Sequence, residues 1–164
     1  MSSSRIDPQT PPPQTPDRIE KELLLRSPRS RVWRALVEAE QFGSWFGVKL
    51  DPAAVFRPGA RVKGRITIPG YETWPFELAV ERLEPEHLFS YRWHPYPEPG
   101  VDLSAEPTTL VEFRLEDAPG GSTRLTVVES GFHALPAPRR AKTFQMNDHG
   151  WSEQLRNIAR HVST

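Results

Sequence analysis

Three observations predict an α+β fold, a curved antiparallel sheet of about six to seven strands wrapped around a long C-terminal helix, with two short helices after the first strand. Alternating apolar and polar residues run through the middle of the chain, short turns join those runs, and a single long apolar stripe at helical spacing closes the sequence. Consecutive strands joined by tight turns pair antiparallel, and a sheet with one apolar face needs a cover. Only the terminal helix is long enough to provide it.

The elements follow in order. "RIEKELLLRS" alternates, with Ile19, Lys21, Leu23 and Leu25 on one face. Ser27 and Pro28 then form a helix start, an N-cap followed by proline at the first helical position. Val32, Leu36 and Val37 recur at helical spacing beside Trp33. "QFGSWFG" reads as a second brief helix that packs Phe42, Trp45 and Phe46 inward. A turn at Pro58-Gly59 leads to a strand with Val62, Gly64, Ile66 and Ile68 on one side and Arg61, Lys63 and Arg65 on the other. The next strand turns Trp74, Phe76, Leu78 and Val80 inward and Glu77 and Glu81 outward. After a turn near Glu84-Pro85-Glu86, another strand aligns Phe89, Tyr91 and Trp93. A Pro-rich loop follows, then the clearest hairpin, in which Val111, Phe113 and Leu115 face Leu125 and Val127 around Pro-Gly-Gly. The last helix, roughly 138–162, lines up Phe144, Trp151, Leu155, Ile158 and Val162. Gly150 beside Trp151 costs this helix roughly 1 kcal/mol relative to Ala. It is expected at the point where helix and sheet backbones come closest.

Composition narrows the function. A chain of 164 residues fits one domain, here 17–164, with 1–16 as a separate Pro-rich tail. That tail is expected to be disordered because it has little to bury, although "TPPPQTP" also suits a polyproline-binding groove. Basic and acidic residues balance at 21 each, so no global field favours nucleic acid or an anionic membrane. The absence of cysteine excludes disulfides and thiolate chemistry. No run is long and apolar enough to insert in a bilayer, and the opening has no apolar core for a signal peptide, so a cytoplasmic location is expected.

No catalytic motif stands out. The five histidines show no metal-ligand spacing, and no phosphate loop or nucleophile elbow is present. No catalytic residue, metal or cofactor is therefore assigned. Arg61, Lys63 and Arg65 are expected to pair across the sheet with Glu77 and Glu81. Glu129 is different. Alternation from Leu125 and Val127 turns it inward, where a carboxylate needs a partner or a proton. Arg92, His133 and Asn147 are the candidate partners, and Glu129 is then a ligand anchor or a general base. A bulge near Gly131 would instead turn it to solvent.

"VWRALVEAEQFGSWFG", "FRPGARVKG", "VERLEPEHLFSYRWHP", "TTLVEFRLEDAPGGSTRLTVVESGF" and "MNDHGWSEQLRNIARHV" together resemble the bacterial proteins related to the C-terminal domain of the activator of Hsp90 ATPase. These belong to the START-like (SRPBCC) superfamily, and the resemblance spans about residues 17–162. It implies the helix-grip fold and a cavity between sheet and terminal helix. Superfamily members include lipid carriers, polyketide cyclases, hormone receptors and chaperone activators. The resemblance therefore implies a hydrophobic, lipid- or polyketide-like or aromatic ligand. The wall would be Trp45, Trp74, Phe76, Tyr91, Trp93, Phe113, Phe144 and Trp151, with Glu129 and Asn147 as polar contacts. Two other classes stay open: a module that contacts an Hsp90-type chaperone, with a role in stress response, and a cyclase- or hydrolase-like enzyme using Glu129 or a histidine. Either a monomer or a homodimer is compatible with the sequence.

Overall fold

The computed structural model describes residues 15–163 apart from 52, 98 and 101. The tail expected at 1–16 thus lies outside the described residues except for Thr15 and Pro16. The Thr15 carbonyl accepts a hydrogen bond from His133 Nε2 at 2.7 Å.

Seven strands form one antiparallel sheet: β1 (Arg18–Leu25), β2 (Val48–Leu50), β3 (Arg61–Ile66), β4 (Pro75–Glu84), β5 (Leu88–Trp93), β6 (Thr109–Ala118) and β7 (Ser122–Ser130). Their order across the sheet is β1-β7-β6-β5-β4-β3-β2. Helices α1 (Arg29–Val37) and α2 (Ala39–Phe46) follow β1, and α3 (Ala137–Val162) closes the chain. This is the α+β helix-grip architecture that the alternation and the terminal stripe predict.

The core lies between one face of the sheet and the three helices. Val62, Phe76, Leu78, Val80, Phe89, Tyr91, Val111, Phe113, Leu115, Leu125 and Val127 are buried on the sheet. Val32, Leu36, Phe42, Trp45, Trp151, Leu155, Ile158 and Val162 meet them from the helices. A β-bulge between Val80 and Arg82 leaves Glu81 without an opposite residue, which bends β4 over the helices.

Several details differ from the sequence reading. Ser27 does not cap α1, whose N-cap is Pro28 without a side-chain bond. Its hydroxyl instead donates to the Val162 carbonyl at the end of α3, at 2.8 Å. Ile68 lies past the end of β3 and is 41% exposed. On the outer face Arg61 meets Glu77 as expected, at 4.0 Å, but Glu81 pairs with Arg92 on β5 at 2.9 Å.

Gly150 is not the point of closest approach. A Cβ built there would have no neighbour within 4 Å. Close packing is instead permitted by Gly43 on α2, where a Cβ would collide with the Val48 carbonyl, and by Gly64 on β3, where it would meet β2.

Candidate functional site around Glu129

Antiparallel pairing sets Tyr91, Val111, Glu129 and Ile19 in one row across β5, β6, β7 and β1. No bulge interrupts β7 before Gly131, so alternation carries Glu129 to the inward face. It has no exposed surface. Trp93 ends β5 opposite Thr109, which begins β6. On α3, Asn147 and Trp151 stand four residues apart on one face, above the same point.

These four residues converge on the carboxylate. Trp93 Nε1 donates to Oε2 at 2.8 Å and Thr109 Oγ1 donates to the same oxygen at 2.5 Å. Trp151 Nε1 donates to Oε1 at 2.8 Å. Asn147 Nδ2 reaches both oxygens, at 2.9 and 3.1 Å. An indole N–H can only donate, and an ionised carboxylate can only accept, so the set is matched to the charged form. No ion pair reaches Glu129 among the described residues. Burial pushes its pKa above the ordinary carboxylate value, and the bonds from Thr109, Trp93, Trp151 and Asn147 pull the other way. Beside it, the Tyr91 hydroxyl is buried without a hydrogen-bond partner. Burial, and then the Glu129 charge, hold the Tyr91 pKa well above 10.0, so this phenol stays neutral.

Aromatic rings fill most of the space between sheet and helices. Phe42, Trp45, Phe46, Phe76, Phe89, Tyr91, Trp93, Phe113 and Trp151 form a continuous chain of ring contacts. What stays open is a hollow of about 120 Å³ lined by Phe46, Trp93, Asn147, Gly150, Trp151 and Gln154. Gly150 therefore leaves room beside Trp151 instead of bringing two backbones together.

The structure distributes the expected wall residues unevenly. Trp93, Asn147 and Trp151 line the hollow and bind Glu129, while Tyr91, Phe76 and Phe113 stand behind them in the ring cluster. Trp45 is core, its indole donating to the Ala35 carbonyl at 2.7 Å. Trp74 precedes β4 and makes edge-to-face contacts with Tyr71 and Tyr96, away from the ring cluster around Glu129. Phe144 packs on Phe132, two turns of helix before Trp151. Of the partners considered for Glu129, only Asn147 reaches it. Arg92 faces outward to Glu81, and His133 binds the chain near Thr15 and Asp17. Sequence reasoning missed Thr109 and missed that both tryptophans act as donors. It also missed Phe46 and Gln154 at the hollow. No group of three or more metal-ligating residues occurs among the described residues.

Comparison with known proteins agrees with the fold. DynU16, a protein of the dynemicin biosynthetic locus, superposes with a TM-score of 0.68 at 23% identity over 92% of this chain. The match covers 48% of DynU16, so this chain spans about half of that protein's length. Protein MLL2253 of Mesorhizobium loti gives 0.68 at 22% identity, covering 89% of this chain and 96% of its own. A protein of Arthrobacter aurescens gives 0.73 at 16% identity, covering 90% and 86%. No curated protein matches this sequence. The profile described as activator of Hsp90 ATPase homolog 1-like protein matches residues 26–163. With that match spanning nearly all of a START-like helix-grip domain, the chain belongs to the activator of Hsp90 ATPase homolog 1-like family.

Proposed function

We propose that this domain binds a small, largely apolar, ring-bearing molecule between the β5–β7 end of the sheet and α3, with the Glu129 cluster as its polar anchor. The observation that carries this reading is a fully buried carboxylate held by four donors, directly behind a hollow walled by aromatic rings. Sites of this kind combine apolar walls with a few convergent polar groups. The hollow of about 120 Å³ admits only part of such a molecule, so a full ligand displaces Phe46 or Trp93, both partly exposed.

An enzyme reading would be favoured by a histidine paired with Glu129, and none stands there among the described residues. Four neutral donors also leave Glu129 without a titratable proton partner, which suits an anchor better than a general base. A chaperone-contact reading needs a continuous exposed apolar patch. Among the described residues the large exposed apolar side chains are Leu24, Val55, Ile68 and Tyr71, and of these Ile68 and Tyr71 share one turn while Leu24 and Val55 lie elsewhere in the chain.

Native mass spectrometry of freshly purified protein tests the proposal. A co-purified small molecule retained by the wild type and lost from Trp151→Ala is the expected result. An unmodified chain mass, with no binding of flavonoid, fatty-acid or sterol probes, would overturn it.

A further inference from the structure

Three rings bound the hollow. Their centroids lie 5.9 Å (Phe46–Trp93), 6.2 Å (Phe46–Trp151) and 5.8 Å (Trp93–Trp151) apart. Both indoles turn their N–H edges onto Glu129 and pack on each other and on neighbouring rings, and part of each borders the open space. A carboxylate that accepts a bond from an indole pushes electron density into that ring. The faces of Trp93 and Trp151 are thereby more negative than those of isolated indoles. Behind them lies the Glu129 charge, buried and without a cationic partner among the described residues. The other side-chain and backbone groups at the hollow, from Asn147, Gly150 and Gln154, are uncharged. A hollow beside a cluster of contacting aromatic rings, with a net negative charge behind it, attracts a cation and does so most strongly when that cation is weakly hydrated. Its volume of about 120 Å³ holds a compact alkylated head group, as it would a single ring, so the charge behind the rings decides between them.

We infer that the hollow formed by Phe46, Trp93, Trp151 and Gly150 seats an alkylated ammonium head group, such as a trimethylammonium, carried by the apolar ligand. The inference rests on the binding reading above and adds the charge and chemical class of the group that enters first. Gly150 leaves open the space that such a head group occupies. Phe46 and Trp93 form its outer walls, and Trp151 forms its floor.

The test uses two soluble probes of one shape, choline and its uncharged carbon analogue 3,3-dimethylbutan-1-ol. Binding is followed by nuclear magnetic resonance of the indole N–H signals at physiological ionic strength. Choline is expected to shift the Trp93 and Trp151 signals saturably and to bind roughly tenfold more tightly than the analogue, the scale of a desolvated cation–π contact. Gly150→Leu fills the hollow from an open position and is expected to abolish choline binding while the domain stays folded. Glu129→Gln, where it folds, is expected to narrow the gap between the two probes, with the cation–π part of the preference remaining. Equal affinities in the wild type, or unchanged choline binding by Gly150→Leu, would overturn the inference. If planar apolar probes bind and choline does not, the head-group inference fails and the binding reading stands. If neither class of probe binds, both fail.

Discussion

At the residue scale, Glu129 combines a cost and a compensation. Removing a carboxylate from water is expensive, and four donors replace the lost hydration. Its folded pKa is raised above the ordinary carboxylate value. The folded state therefore holds its proton more tightly than the unfolded chain, and stability from this group falls as pH rises through the window between the two values. Glu129→Gln removes that dependence. It also offers one acceptor oxygen where two stood, leaving indole or amide donors unmatched, at a cost of about 1–3 kcal/mol. Urea unfolding from pH 4 to pH 7 should show the variant less stable throughout. The gap should narrow as pH rises, and a constant gap would mean that Glu129 has the same pKa in the folded and unfolded states. The neighbouring Tyr91 stays neutral across this range and leaves the comparison clean.

The two glycines make a second contrast at this scale. Gly43→Ala drives a methyl group into the Val48 carbonyl and should cost about 1–3 kcal/mol, as overpacking does. Gly150→Ala meets open space and should stabilise α3 by up to about 1 kcal/mol. Thermal midpoints moving in opposite directions check both. Alternation from Leu125 made the burial of Glu129 legible in sequence. The identity of its donors was not. Trp93 and Trp151 read as apolar wall because pattern analysis counts a tryptophan's ring and not its N–H. Thr109 continues the inward alternation of Val111 and Phe113, but a hydroxyl at the start of a strand was not counted among the inward residues.

At the scale of elements, α3 is held at its C-terminal end by bonds that no periodicity predicts. Ser27 Oγ donates to the Val162 carbonyl, one of the terminal carbonyls that lack an intrahelical partner. Thr123 Oγ1 donates to the Ser27 carbonyl at 2.7 Å, so the β1–α1 corner ties the start of β7 to the end of α3. Ser27→Ala should cost about 1–2 kcal/mol and raise hydrogen exchange in the last turn of α3, with little change at α1. Loss of protection at α1 instead would restore the capping role that the Ser-Pro pair suggests. That pair is locally persuasive, but the hydroxyl chose a partner 135 residues away. Trp74 shows the same limit: it fits the period of β4, yet the strand begins at Pro75 and the indole joins a surface cluster with Tyr71 and Tyr96.

For the whole molecule, the run of strands, their antiparallel pairing and the covering helix were readable, because most strands repeat one alternation; the place of β1 beside β7 and the three-residue β2 were not. The extent to which the space between sheet and helices is filled was not readable. That depends on how nine aromatic side chains interlock, which is a matter of rotamers and curvature, not of pattern. The central claim is that a small molecule enters at the Glu129 end of this space. Titrating the isotope-labelled domain with a planar apolar probe, while following the five indole N–H signals, tests it most directly. The account predicts saturable shifts of Trp93 and Trp151, with Trp33, Trp45 and Trp74 little changed. No saturable shift across flavonoid, fatty-acid and sterol probes, or shifts confined to Trp74, would contradict it.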